Sequence, residues 1–198
     1  MKVYTIKDLN TFERNGGGWL ICPSGDYSQI KTFGCWCHFG DGCRFGDGCR
    51  FGEKCYFGDG CSFGKGCSFG EWCRFGHFCL FLKQSIFGWA CSFGEKCYFG
   101  KLCKFGYFCS FGDGCTLDND LSFENIQEQV DRVLKIDRIG SRRGCTYFFK
   151  TLSEIYVRCG CFFGTISEFE AKVNKTHKDN EQYRKEYLEA INYVRAVM

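Results

Sequence analysis

The sequence predicts a mainly β chain, with a solenoid of stacked coils at its centre, a short cap before it and a small α+β domain after it. Two observations predict this. From residue 33 to 122, Phe, Gly and Cys return on a strict six-residue beat. Beyond residue 126 the beat stops, and strand-like and helix-like spacings take over. The 198 residues include 26 Gly, 23 Phe, 18 Cys and a single Pro, a bias that belongs to a repeat rather than an ordinary core.

The cap is expected over residues 1–26, because a solenoid exposes unpaired strand edges at its ends. "DLNTFERN" suits a short helix after Asp8, and "GGGWLIC" suits a strand leading into the first coil. Ile21 and Tyr27 keep the six-residue phase ahead of Phe33, so the coil is expected to begin near Ile21.

The solenoid is expected over residues 27–126. Phe holds positions 33, 39, 45, 51 and onward to 111, with Leu at 117. Cys follows four residues later, from Cys37 to Cys115. A helix cannot use this beat, since six is not a multiple of 3.6 and a Gly in every unit weakens it. Strand alternation explains it. Cys and the next Phe are two residues apart and share one face, while the residue between them faces solvent. Gly and the two residues after it turn the chain.

This Phe-Gly-x-x-Cys-x unit resembles the hexapeptide repeat of left-handed parallel β-helices, with Phe at the large position and Cys at the small one. The resemblance covers about residues 33–122. It implies a triangular solenoid of three hexapeptides, or 18 residues, per coil. Pentapeptide-repeat proteins also stack Phe or Leu, but a period of five would lose the Phe row here within two units. Coils about 4.8 Å apart would stack equivalent side chains into ladders. Cys then serves as a small buried hydrophobe. The regular spacing lacks the Cys-x2-Cys pairs of zinc sites, so no metal or other cofactor is expected. Leu82 and Ser85 depart from the pattern, so Phe81–Ile86 is expected to be an irregular step with a slight bulge.

An 18-residue turn also sorts the outward positions. One corner carries Trp36, Lys54, Trp72, Ala90 and Phe108, with Cys35, Glu53, Glu71, Trp89 and Tyr107 in the row beside it. The second carries Gly42, Gly60, Phe78, Lys96 and Gly114, and the third Gly48, Gly66, Gln84 and Leu102. The first corner is aromatic where the others are mostly Gly. Trp36, Trp72, Trp89, Tyr107 and Phe108 therefore mark a contact surface, for a partner protein or a second copy in a homodimer. Hexapeptide acyltransferases have a similar repeat but carry a catalytic His and loops that interrupt the coils. His38 and His77 lie inside the regular pattern here, so an ordinary solvent-facing role is expected for both, and no enzyme.

Residues 127–198 are expected to form a β-β-β-α-α domain. "VDRVLKIDRIG", "CTYFFK" and "IYVRCGCFFGT" read as three strands, with "SRRG" turning between the first two. Thr165 and Glu168 form a capping box that opens a helix with Phe169 and Val173 inward. A second helix from about Asn180 spaces Tyr183, Tyr187, Ile191 and Val194 on one face. Cys159 and Cys161 would share a strand face as packing residues. Arg138, Arg142, Arg143 and Arg158, with Lys150, stand against Glu154 as a basic hairpin that suits a phosphate or an acidic partner. The pattern "IGSR…FFK…IYVRCGCFFGTISEFE…KVNKTH…YLEAI" looks like a module of uncharacterised phage and prophage proteins.

The net charge is +3, but residues 33–122 carry nine Lys/Arg against nine Asp/Glu. That balance argues against a nucleic-acid track on the repeat and against an acidic DNA mimic. No stretch approaches a membrane span, and the first residues lack a signal-peptide core. The chain is expected to be cytoplasmic, with reduced thiols. These features and the phage resemblance point to a non-enzymatic phage-encoded inhibitor of a bacterial defence system. An anti-CRISPR protein that binds a host effector is one such inhibitor. The alternatives are a phage structural or assembly protein, and a nucleotide-sequestering anti-defence protein that uses the basic hairpin.

Overall fold

In a computed structural model of the chain, residues 1–112, 115–118, 121–123, 126–130, 132–141 and 143–198 are described. Two compact units result, Met1–Gln127 and Glu128–Met198. The first is a parallel β-solenoid. Each hexad contributes a two-residue strand whose outer residue is exposed or half-buried and whose Phe is buried, as in Arg50–Phe51 and Tyr56–Phe57. Strands 18 residues apart pair in parallel, for example Ser62↔Leu80 and Phe63↔Phe81. Three walls follow among the described residues.

The interior is three columns of rings. Phe33, Phe51, Phe69, Phe87, Phe105 and Phe123 stack nearly parallel at 4.8–5.0 Å between centroids. Phe39 to Phe111 and Tyr27 to Phe99 form the other two columns. Rings of different columns meet edge to face, as in Phe45 and Phe51 at 5.0 Å and 90°. Both geometries satisfy the ring quadrupole, and each buried Phe contributes about 1.5–3 kcal/mol.

Cys fills the space the rings leave. From the second coil on, most thiols approach a carbonyl of the coil before. Cys55 Sγ lies 3.3 Å from the Gly34 carbonyl oxygen, and Cys73 Sγ lies 3.4 Å from that of Gly52. Gly is required after Phe because the preceding coil lies directly against it. A Cβ on Gly64 would come within 2.5 Å of the Asp47 nitrogen. At the irregular hexad, Ser85 is fully buried and its hydroxyl donates to the Leu82 carbonyl at 2.9 Å. Leu80–Phe81 and Ile86–Phe87 both pair in register with the strands above and below. The expected bulge is absent, because a serine hydroxyl fills the thiol's place and finds a carbonyl of its own turn.

The cap differs from its expectation in two ways. The helix spans Ile6–Leu9, with Thr5 as N-cap and Asp8 completing the capping box. Asp8 is thus inside the helix, because its carboxylate can accept from the Thr5 backbone N–H only from there. The strand Leu20–Cys22 pairs Ile21 with His38 and Cys22 with Phe39. Cys22, not Ile21, faces inward, and Ile21 is exposed. Tyr27 returns to the ring column over Phe45. Tyr27 follows Cys22 by five positions rather than six, so the six-residue beat fails across Pro23.

The second unit packs two helices, Ile166–Thr176 and Glu181–Val197, on a four-stranded antiparallel sheet. Its strands are Arg132–Ile139, Gly144–Lys150, Ile155–Cys159 and Phe162–Thr165. Four strands replace the expected three, because Gly160, at φ +59°, and Cys161 turn the chain within "IYVRCGCFFGT". Cys159 and Cys161 therefore do not share a strand face. Cys159 accepts from the Thr146 hydroxyl at 3.3 Å, and Cys161 is exposed in the turn. Phe148, Val157, Phe169, Val173, Tyr187, Ile191 and Val194 form the core. The Thr165–Glu168 capping box is present, with Thr165 N–H to Glu168 Oε2 at 2.8 Å.

Candidate functional site

Each hexad turns at the two residues before its Cys, and the second of these adopts left-handed backbone. At the first corner these residues are Trp36, Lys54, Trp72, Ala90 and Phe108, with φ of 54–60°. At the other corners Gly42, Gly48, Gly60 and Gly66 take that conformation before Phe78, Gln84, Lys96 and Leu102 appear higher up. Left-handed backbone costs an L residue about 1–2 kcal/mol. The first corner accepts that cost at all five of these coils and never uses Gly. Gly114 lies outside the described residues.

A groove of about 910 Å³ runs along this corner. One side is the corner itself, with Trp36, Lys54, Trp72, Trp89 and Phe108. The other is the outward row of the adjoining wall, with His38, Tyr56, Arg74 and Ser92. Trp19 and Asn15 of the cap complete the lining. All four tryptophans of the chain line this groove. Trp19 meets Trp36 edge to face at 5.3 Å, and His38 meets Tyr56 at 4.6 Å. Trp89 touches both Trp72, at 5.3 Å, and Phe108, at 5.7 Å, filling the place that small Ala90 leaves open. Between these clusters, Lys54 Nζ sits 4.8 Å over the Trp36 ring. Arg74 extends from the wall, and its guanidinium has no side-chain partner among the described residues.

Of the sequence-derived candidates, Trp36, Trp72, Trp89 and Phe108 come together here. Tyr107 is exposed at the same corner, its ring 6.5 Å from Phe108, but it does not line the groove. The 18-residue rule places His38, expected to have only an ordinary solvent-facing role, in one row with Tyr56 and Arg74, which carried no site expectation. Trp19 had no such signal, because the cap strand pairs 17 residues ahead, Leu20 with Cys37. His77 has a structural task, its Nδ1 accepting from the Glu95 backbone N–H at 3.0 Å. Asp41, Asp47 and Asp59 accept in the same way from the coil above.

The arginines lie in the second unit. Arg138 and Arg143 are exposed on either side of the hairpin turn, both with positive φ. Arg158 is half-buried on the third strand, opposite Tyr147 and Phe163. Arg142 lies outside the described residues. Acidic partners reach this hairpin beyond Glu154. Asp137 pairs with Lys135 at 3.1 Å, and Glu186 Oε2 accepts from Gly140 N–H at 2.8 Å. The hairpin is therefore less one-signed than the arginine count suggests.

Hydrogen bonds with neighbouring cysteines lower the thiols of Cys37, Cys61, Cys73 and Cys97, while other inward thiols are raised. The thiol of Cys103 is pushed up to about 11, first by burial. The thiols of Cys55, Cys79 and Cys91 are also raised, by hydrogen bonding with the cysteines above and below and then by burial. None of the 18 cysteines is in a disulfide. Among the described residues, no group of three or more His, Cys, Asp or Glu side chains is placed to hold a metal ion, and no helix is long and apolar enough to cross a membrane. No protein-family model, no curated protein and no solved structure matches the chain.

Proposed function

We propose that the chain is a non-enzymatic inhibitor that binds a protein target through the aromatic groove of the solenoid. The observation that carries this reading is the gathering of all four tryptophans along one corner that forgoes Gly at strained backbone positions. A filled ring core does not need an aromatic outer ridge, whereas a partner surface does. The resemblance of residues 137–192 to phage and prophage modules supports a phage origin and a bacterial defence component, such as a CRISPR effector, as the target. Such an inhibitor acts in the host cytoplasm.

The test pairs Trp72→Ala with Trp89→Ala in one variant and Arg138→Glu with Arg143→Glu in another. Loss of defence inhibition and of target capture is expected for the tryptophan variant, with circular dichroism unchanged. Full inhibition by it of every defence system that the native chain blocks would remove the groove as the site. Stable incorporation into purified virions would point instead to an assembly protein. Heat release on titrating cyclic nucleotides, abolished in the arginine variant, would point to nucleotide sequestration.

A further inference from the structure

The groove's charge is one-signed where its aromatic lining is interrupted. Lys54 sits on the coil between Trp36 and Trp72, Arg74 sits one coil further on, level with Trp72, and no carboxylate lines the groove. Arg74 has no side-chain partner among the described residues, and Lys54 has only the Trp36 ring. A guanidinium left unpaired beside apolar rings favours a planar anion that can take two of its N–H groups. From Trp36 to Phe108 is four coil steps of ~4.8 Å, roughly 19 Å, which about six residues of extended peptide would span.

We infer that the groove takes an extended acidic segment of the target protein, with a carboxylate on Arg74, level with Trp72, and apolar side chains against the two aromatic clusters; this rests on the protein-binding reading above. A single-stranded nucleic acid fits less well. It would bring a phosphate for each nucleotide along the groove against two cations, and residues 33–122 are charge-balanced. A sugar chain stacks best on coplanar ring faces. Here Trp72, Trp89 and Phe108 are tilted 66–71° to their neighbours, and the Lys54 ammonium covers one face of Trp36.

The probes are three fluorescein-labelled pools of eight-residue peptides, titrated into the full chain. Each pool has Pro, Leu, Phe and Ala randomised around a fixed central Asp, Asn or Lys. Fluorescein-labelled dT10 and a labelled oligogalacturonate complete the set. Every tryptophan lines the groove, so intrinsic fluorescence reports occupancy there directly. The Asp pool is expected to bind about tenfold tighter than the Asn pool or better, as a charge-assisted hydrogen bond supplies. Its affinity should fall as salt rises, and it should shift the tryptophan emission. Arg74→Glu should move the preference to the Lys pool, and Arg74→Gln should erase the Asp preference if the Glu variant folds poorly. Equal binding of the Asp and Asn pools overturns the inference. So does binding of dT10 or the oligogalacturonate with none of the Asp pool. If Trp72→Ala with Trp89→Ala abolishes target capture while the pools show no preference, only the ligand chemistry falls. If capture survives that variant, the inhibitor reading falls instead.

Discussion

The two units bury apolar surface in opposite ways. The solenoid repeats one layer, a Phe and a Cys per hexad, so every ring has equivalent neighbours above, below and beside it. The second unit gathers unlike residues from four strands and two helices into a single cluster. In the first, stability is nearly a sum of equal layers and their interfaces. In the second, it belongs to one cooperative core. Phe63→Ala should sharpen this contrast most. The ring stacks on Phe45 and Phe81 and meets Phe57 and Phe69 edge to face. Its loss should cost the solenoid about 3–5 kcal/mol. Ile191→Ala should cost the second unit about 2–5 kcal/mol. Urea melts can separate the two. Tryptophan emission reports the solenoid, which holds all four tryptophans, and ellipticity at the helix band reports mainly the second unit. A common shift of both transitions by either variant would contradict independent cores.

Glycine draws the same contrast at smaller scale. Gly64→Ala would press a methyl group against the Asp47 nitrogen and the Gly46 carbonyl carbon, each 2.5 Å from the added Cβ. Neither can move without opening the coil, so about 1–3 kcal/mol should be lost. Gly144→Ala, on the second unit's hairpin, meets nothing within 4 Å and should stay within about 0.5 kcal/mol of the parent. Equal melting of the two variants would mean the coils are less tightly stacked than their geometry says.

Cys103 should make the solenoid sensitive to alkali. Cys103 has its native value raised from 9.0 to about 11, so the unfolded chain loses this proton first as pH rises. Below about pH 9 both states hold the proton and nothing is lost. Between pH 9 and 11 the unfolded state binds fewer protons, and stability falls. Urea midpoints of the tryptophan transition should therefore drop through this window. A midpoint that holds steady from pH 8 to 11 would contradict a sealed Cys103 thiol.

The period made the solenoid legible. A six-residue beat fixes which residues face inward, and the 18-residue turn then sets every column and corner, so Trp36, Trp72, Trp89 and Phe108 fell into one ridge. The groove was half visible. His38, Tyr56 and Arg74 follow from the same arithmetic applied to the strand row. Trp19 does not, since Tyr27 follows Cys22 by five positions rather than six and only the folded cap sets its register. The second unit lacks a period. Its helices announced themselves through capping at Thr165 and Asn180. Its last hairpin hid inside a continuous apolar run that Gly160 and Cys161 divide with a turn.

The smallest expected effect bears most on why the first corner avoids Gly. Ala90 has φ +56° and contributes only a methyl group to the groove. Ala90→Gly should stabilise the solenoid by about 1 kcal/mol by relieving left-handed strain. Gly60→Ala, at the same backbone position of the second corner, should destabilise it by a similar amount. If the pair moves in these opposite directions, the first corner holds its side chains against a backbone cost that Gly would remove, and a selective use for those side chains explains why. If Ala90→Gly leaves the melt unchanged, the corner is unstrained, and its aromatic row needs no explanation beyond chance occupancy of a permissive turn.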